Sequence, residues 1–162
     1  MGQTTKFIKL IGTFERPDNT TEYATGDLIN NDTKLPVQLI PENGLTITTG
    51  QSLELKQVKV ATDNGASSFD VNFNLLDNTQ SLEFDNVAQY QTFEKIGNLI
   101  YVGGVTLRPS STIAFGFIDS INIPIKTEVN NIYCYLTLAS ETYTPASKQD
   151  FKIEVLCALI DG

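Results

Sequence analysis

Phe69-Asp-Val-Asn-Phe-Asn-Leu-Leu76 sets large apolar side chains at 69, 71, 73 and 75 against Asp70, Asn72 and Asn74. Successive side chains of an extended strand point to opposite faces, so this stretch reads as a strand with one face on a core and one toward water. The same parity recurs in both directions from it. Phe151, Ile153, Val155, Cys157 and Leu159 share one face, with Lys152 and Glu154 on the other, until Leu156 and Ala158 make the second half apolar on both. Ile113, Phe115 and Phe117 alternate, as do Ile123 and Ile125. Helical periodicity is nearly absent.

One run breaks the rule. In Leu53-Glu-Leu-Lys-Gln-Val-Lys-Val60 the apolar positions change from odd to even midway. A β-bulge near Lys56-Gln57, one extra residue in the strand, would restore a common apolar face. Asp63-Asn64-Gly65 reads as a hairpin turn between the flanking strands, with Glu42-Asn43-Gly44 and Gly103-Gly104 as further turn signals. Pro124 lacks the N–H that a central ladder needs, which places its strand at an edge, a bulge or a strand start. Strands are expected at about 4–11, 35–40, 52–61, 68–76, 98–107, 112–118, 121–127, 131–139 and 150–160. Between them, Asp85 could N-cap a short helical turn reaching Gln91. The fold class expected is all-β: one domain over 1–162, an antiparallel β-sandwich, jelly-roll-like. Only Met1–Thr4 and Asp161-Gly162 read as flexible ends.

The chain has 162 residues, of which 41% are hydrophobic, enough for a core without disulfides or metals. Its net charge is −8, which disfavours nucleic acid and anionic membrane, since both call for a basic surface. No run approaches the roughly eighteen apolar residues of a membrane helix, and the N-terminus shows no secretory h-region. Gly2 lacks the hydroxyl residue that myristoylation wants at position 6, which is Lys6.

There is no histidine. Imidazole-activated serine or cysteine nucleophiles are therefore excluded, and so is the commonest metal ligand. Cys134 and Cys157 lie in apolar strand-like runs and read as buried thiols, their pairing left open. Asp27, Asn30, Asn31 and Asp32 gather oxygen atoms but lack EF-hand spacing, so turn and Asx-capping roles are expected rather than calcium. Asn19-Thr20-Thr21 and Asn31-Asp32-Thr33 match the glycosylation pattern by chance in a Thr- and Asn-rich chain. Ser67-Ser68 and Ser110-Ser111-Thr112 have no base nearby in sequence, and no glycine run forms a phosphate loop. Glu54, Glu83, Glu94, Glu128 and Glu154 could in principle supply a carboxylate pair for glycoside hydrolysis, but no pattern pairs them. No catalytic residue, cofactor or metal is expected.

The strand from Asn131 to Ala139 carries large side chains on both faces, including Tyr133 and Tyr135. Either it is central, with its second face covered by the 80–96 segment, or that face meets another subunit. With Phe115, Phe117 and Pro124, these tyrosines make a candidate interface for a homo-oligomer, a cyclic trimer being the leading expectation.

Several short motifs run along the chain. Tyr23-Ala-Thr-Gly-Asp27 follows the first strand. Leu75-Leu76-Asp77-Asn78-Thr79 leads to Asp85-Asn86, Ile96-Gly97 ends the least strand-like stretch, and Tyr143-Thr-Pro-Ala-Ser147 precedes the final strand. In these the chain resembles a loosely defined family of small tailed-bacteriophage proteins encoded among virion structural genes. It has Asp77-Asn78 where such proteins often have a proline. Its Asn-, Thr-, Lys- and Ile-rich usage is similar to that of AT-rich genomes such as those of crAss-like phages of gut bacteria. The resemblance implies a capsid-decorating or auxiliary virion protein, made in the host cytoplasm and located on the capsid surface. Its partners would be the major capsid protein or other virion proteins, and no catalytic residue is implied. The other function expected of such a sandwich is a carbohydrate- or receptor-binding module, although the chain has no tryptophan to stack on a sugar ring.

Overall fold

The computed structural model describes residues 6–42, 52–125 and 132–160. Its strands are β1 (Lys6–Glu15), β2 (Tyr23–Ala24), β3 (Leu28–Ile29), β4 (Val37–Gln38), β5 (Ile40–Pro41), β6 (Ser52–Thr62) and β7 (Phe69–Leu76). After a 3-10 helix (Phe93–Asn98) come β8 (Leu99–Ser110), β9 (Ile113–Ile118), β10 (Ile123–Ile125), β11 (Tyr133–Leu138), β12 (Thr142–Tyr143) and β13 (Asp150–Ile160). The expectations at Met1–Thr4, Asn43-Gly44, Lys126 to Asn131 and Asp161-Gly162 lie outside the described residues.

The strands pair first with last. β1 lies against β13, β3 and β4 against β11, β6 against β9, and β7 against β8, all antiparallel. That is one long hairpin of strands. Rolling it up sets β13 beside β6 and β11 beside β7, also antiparallel. Two layers result: β5-β1-β13-β6-β9 and β3-β11-β7-β8. This is jelly-roll order, and the expected antiparallel sandwich is the fold found.

The alternation read from sequence builds the core. Phe69, Val71, Phe73 and Leu75 are all buried, and they meet Leu10, Phe14, Val58, Val60, Ile153 and Val155 from the other layer. Each such side chain contributes roughly 1.5–3 kcal/mol on full burial. Cys134 and Cys157 lie buried in this core as free thiols. In β6 the bulge is where the parity break puts it. Leu156 pairs with Gln57 and Cys157 with Leu55, so Lys56 is the extra residue, and Leu53, Leu55, Val58 and Val60 all face inward.

Other expectations need correction. Asp63-Asn64-Gly65 is not a hairpin turn, because β6 and β7 are in different layers and the segment carries the chain across the sandwich. Gly103 and Gly104 are not a turn but lie inside β8. That strand pairs with β7 over Leu99–Leu107 and with β9 over Arg108–Ser110, and so passes from one layer to the other. At this crossing Gly116 permits close approach: a β-carbon there would lie 1.9 Å from the Thr106 carbonyl oxygen. No helical turn starts at Asp85, and the helical segment found begins eight residues later, at Phe93. β10 pairs only with β6 among the described residues, so Pro124 does lie on an edge strand.

Candidate docking surface and the polar hub beneath it

Arg16 is one of two arginines, and it leaves β1 just before Pro17. Its side chain is turned inward and only 1% of the residue is exposed. Nε donates to the Tyr23 hydroxyl. Nη1 donates to the carbonyls of Asn19 (3.0 Å) and Ala146 (2.8 Å). Nη2 donates to Asn19 Oδ1 (3.2 Å) and lies 3.4 Å from Asp85 Oδ2. The Tyr23 hydroxyl and the Asn30 amide in turn donate to Asp85 Oδ1. The guanidinium also lies 5.0 Å from the Tyr23 ring centroid. Asp85 is therefore an acceptor at the centre of a buried hub and not a helix cap. A buried ion costs several kcal/mol unless paired and hydrogen-bonded, and here both ions are. Burial pushes the Asp85 carboxyl above its ordinary value, against the pull of the Asn30 amide, the Tyr23 hydroxyl and Arg16. Burial, then the Asp85 charge, pushes the Tyr23 hydroxyl up.

Three of the motifs noted in sequence, Tyr23–Asp27, Asp85-Asn86 and Tyr143–Ser147, converge on this hub. In Tyr23-Ala-Thr-Gly-Asp27 the turn needs a positive φ, which Gly26 supplies at 89°, while Asp27 Oδ2 accepts the Ala24 amide at 2.8 Å. Asn86, also at positive φ, donates from Nδ2 to the carbonyls of Thr21 and Glu22. Tyr143 pairs with Tyr23 across β12 and β2, and its hydroxyl meets buried Gln149, which also holds Thr62 Oγ1 and the Ala146 amide. Asn31 accepts from Thr33, and Asp32 accepts the Asp85 amide. Apart from Asn30 Oδ1, which is buried without a hydrogen-bond partner among the described residues, the side-chain oxygens of this loop are committed to turns and cross-loop bonds. Among the described residues no cluster of acidic or cysteine side chains could hold a metal.

Above the hub, the 26–35 and 81–92 loops form one tip. They are joined by Leu28 N to Val87 O (2.9 Å), Leu82 N to Lys34 O (2.8 Å) and Gln89 N to Gly26 O (3.1 Å). Beneath them Leu28, Leu76, Leu82 and Tyr135 make a second small core. At its surface Leu35, Phe84, Val87 and Tyr90 are exposed, Tyr90 by 72%. Lys34 Nζ lies 4.9 Å over the Phe84 ring. Large apolar side chains on hydrogen-bonded loops offer contact area at low entropic cost.

No family model matches the chain, and no curated protein matches it. Among solved structures, the chain is similar to one of the cyanophage Pam1 capsid asymmetric unit at 14% identity and a TM-score of 0.41, covering 99% of this chain and 89% of that one. It is also similar to one of the sacbrood virus of honeybee at 11% identity and a TM-score of 0.31, covering 98% and 73%.

The five candidate interface residues divide between the layers. Tyr133 is half-buried and Tyr135 is 3% exposed, its hydroxyl donating to Gln91 Oε1 at 3.2 Å. Their face is covered from within by the segment that carries Leu82 and Gln91, so Tyr135 offers nothing to a partner. Phe115 (half-buried), Phe117 (52% exposed) and Pro124 (exposed) share the outward face of the β1-β13-β6-β9 layer instead. Sequence reasoning missed Arg16, Gln149 and the tip residues. The available signal was Phe84, Val87 and Tyr90, three large apolar residues at three-residue spacing in a stretch with no strand alternation. No helix among the described residues is long and apolar enough to cross a membrane.

Proposed function

We propose that this chain is a non-enzymatic virion structural protein, an auxiliary or decoration protein on the capsid surface whose partners are the major capsid protein or its neighbours. The observation that carries this reading is a pair of separate apolar surfaces on one rigid sandwich. One is the loop tip of Leu35, Phe84, Val87 and Tyr90; the other is the outward sheet face with Phe7, Ile40 and Phe117. A module that captures one soluble ligand needs one such surface, whereas a protein bound in many copies to a repeating lattice uses several weak contacts and gains by avidity. The tip is the surface that meets the capsid. Mass spectrometry of purified virions tests the proposal: the chain should be present in fixed stoichiometry to the capsid protein, and its absence from intact particles would sink the idea.

One observation favours carbohydrate binding as a second reading. A groove of about 330 Å³ beside Tyr90 is lined by Lys34, Ser81, Glu83, Gln89 and Thr92, and a tyrosine ring can stack on a sugar. A glycan array without signal above background would remove it.

A further inference from the structure

The strand register lays the outward face of the β1-β13-β6-β9 layer out in rows. Phe7, Ala158, Glu54 and Pro124 form one row. Lys9, Leu156 and Gln57 form the next, ending at Asp119, which accepts from the Gln57 amide. Ile11, Glu154, Lys59 and Phe117 form the third, and Thr13, Lys152, Ala61 and Phe115 the fourth. Ile40, 57% exposed, extends the third row beyond Ile11. Exposures of 56% at Phe7 and 52% at Phe117 show that this face is open.

We propose that this face docks a second copy of the chain about a two-fold axis running along the strands between β13 and β6. Such an axis lays β1 over the partner's β9 and β10, and β13 over the partner's β6. Each row then meets itself reversed. Ile11 faces the second copy's Phe117, Phe7 faces its Pro124, Glu154 faces its Lys59, and Lys9 faces its Asp119. Every one of these contacts is made twice, as a self-complementary interface requires. The charges balance too. Lys9, Lys59 and Lys152 stand against Glu54, Asp119 and Glu154 on a chain of net charge −8, so the repulsion between copies is removed from this face. Only the row beyond, with Glu15 and Asp150, is like-charged, and it falls at a rim where water screens it. Strands at about 4.8 Å and rows at about 6.8 Å span roughly 20 by 25 Å. That is about 500 Å² per partner, or ~1,000 Å² in total, at the lower bound of a specific interface. An isologous face closes as a pair and gives a dimer where the sequence suggested a trimer. The biological setting of the dimer rests on the virion reading, but the contact itself does not.

Sedimentation equilibrium of the isolated chain tests the proposal. The expected mass is twice 17.8 kDa. Lys59→Glu and Glu154→Lys, each of which brings like charges together, should each weaken the dimer by about tenfold or more. The double variant should restore it to within about threefold, because the pair is reversed rather than lost. Phe117→Asp, at an exposed position that leaves the core untouched, should dissociate it, with circular dichroism confirming the fold. A monomer at all concentrations, a trimer, or a double variant no better than the singles would each overturn the proposal. A dimer from a chain absent from virions would keep this inference and reject the virion reading; a monomer found in virions would do the reverse.

Discussion

At the scale of single residues, the hub joins groups that no sequence window shows together. Arg16 and Asp85 are 69 residues apart, and nothing in the local pattern of either announces a partner. Asp85 resembled a cap because Asp is common at caps; only burial separates the two roles. Its removal leaves Arg16 charged and unpaired inside the protein. Asp85→Ala should therefore cost about 3–5 kcal/mol in urea denaturation, while Arg16→Met combined with Asp85→Leu should cost less than either single change. The cysteines were legible, because both sit at core parity in apolar runs. Burial pushes the Cys157 thiol up to about 12 and the Cys134 thiol higher still. At pH 8 the native protein should be inert to Ellman's reagent, with two thiols appearing only on unfolding.

At the scale of elements, parity decided what could be read. The alternation of β7 and β13 and the break within β6 are local facts, and each survives in the structure. In β9 the apolar parity faces outward instead, with Ile113 and Phe117 exposed and Ala114 buried, because the small residues are the ones that fit under the crossing of β8. Partner choice is not local, which is why Asp63-Asn64-Gly65 looked like a hairpin and is a crossing between layers. The two-residue strands β2, β3 and β12 were invisible for the same reason: they are strands only because distant partners make them so. The bulge yields a sharp contrast. Lys56→Ala removes a surface ion pair with Glu54 and an exposed hydrogen bond to Asn122 Oδ1 and should change stability by less than about 1 kcal/mol. Deleting Lys56 straightens the strand and leaves Leu53, Leu55, Val58 and Val60 in unbroken alternation, so that variant should stay soluble, whereas deleting Lys59 turns Val60 and Thr62 outward and should abolish soluble expression. Gly116→Ala forces the β8 and β9 backbones apart where they cross and should lower stability by about 1–3 kcal/mol, seen as a shifted thermal midpoint.

At the scale of the whole molecule, the tip and the open sheet face are separate surfaces on one scaffold, so they can be altered independently. Phe84→Ser with Tyr90→Ser should leave the thermal midpoint nearly unchanged, since both side chains are exposed. On the virion reading it should release the protein from particles during gradient purification, and the sheet-face variants, which lose only the avidity of pairing, should loosen it less. The order of pairing has a consequence of another kind. β13 lies between β1 and β6, though it comes after every other described strand in the chain. Until it emerges from the ribosome, the first layer has a gap at its middle rather than a missing edge, and among the described residues β1 has only Leu10 and Ile11 paired, with β5. Translation must therefore run through β13 before that layer can close. A chain stopped before Asp150 exposes two unfilled strand edges facing one another, a slot shaped for a single guest. A synthetic peptide of residues 150–160, supplied in trans, should enter that slot and rescue the shortened chain.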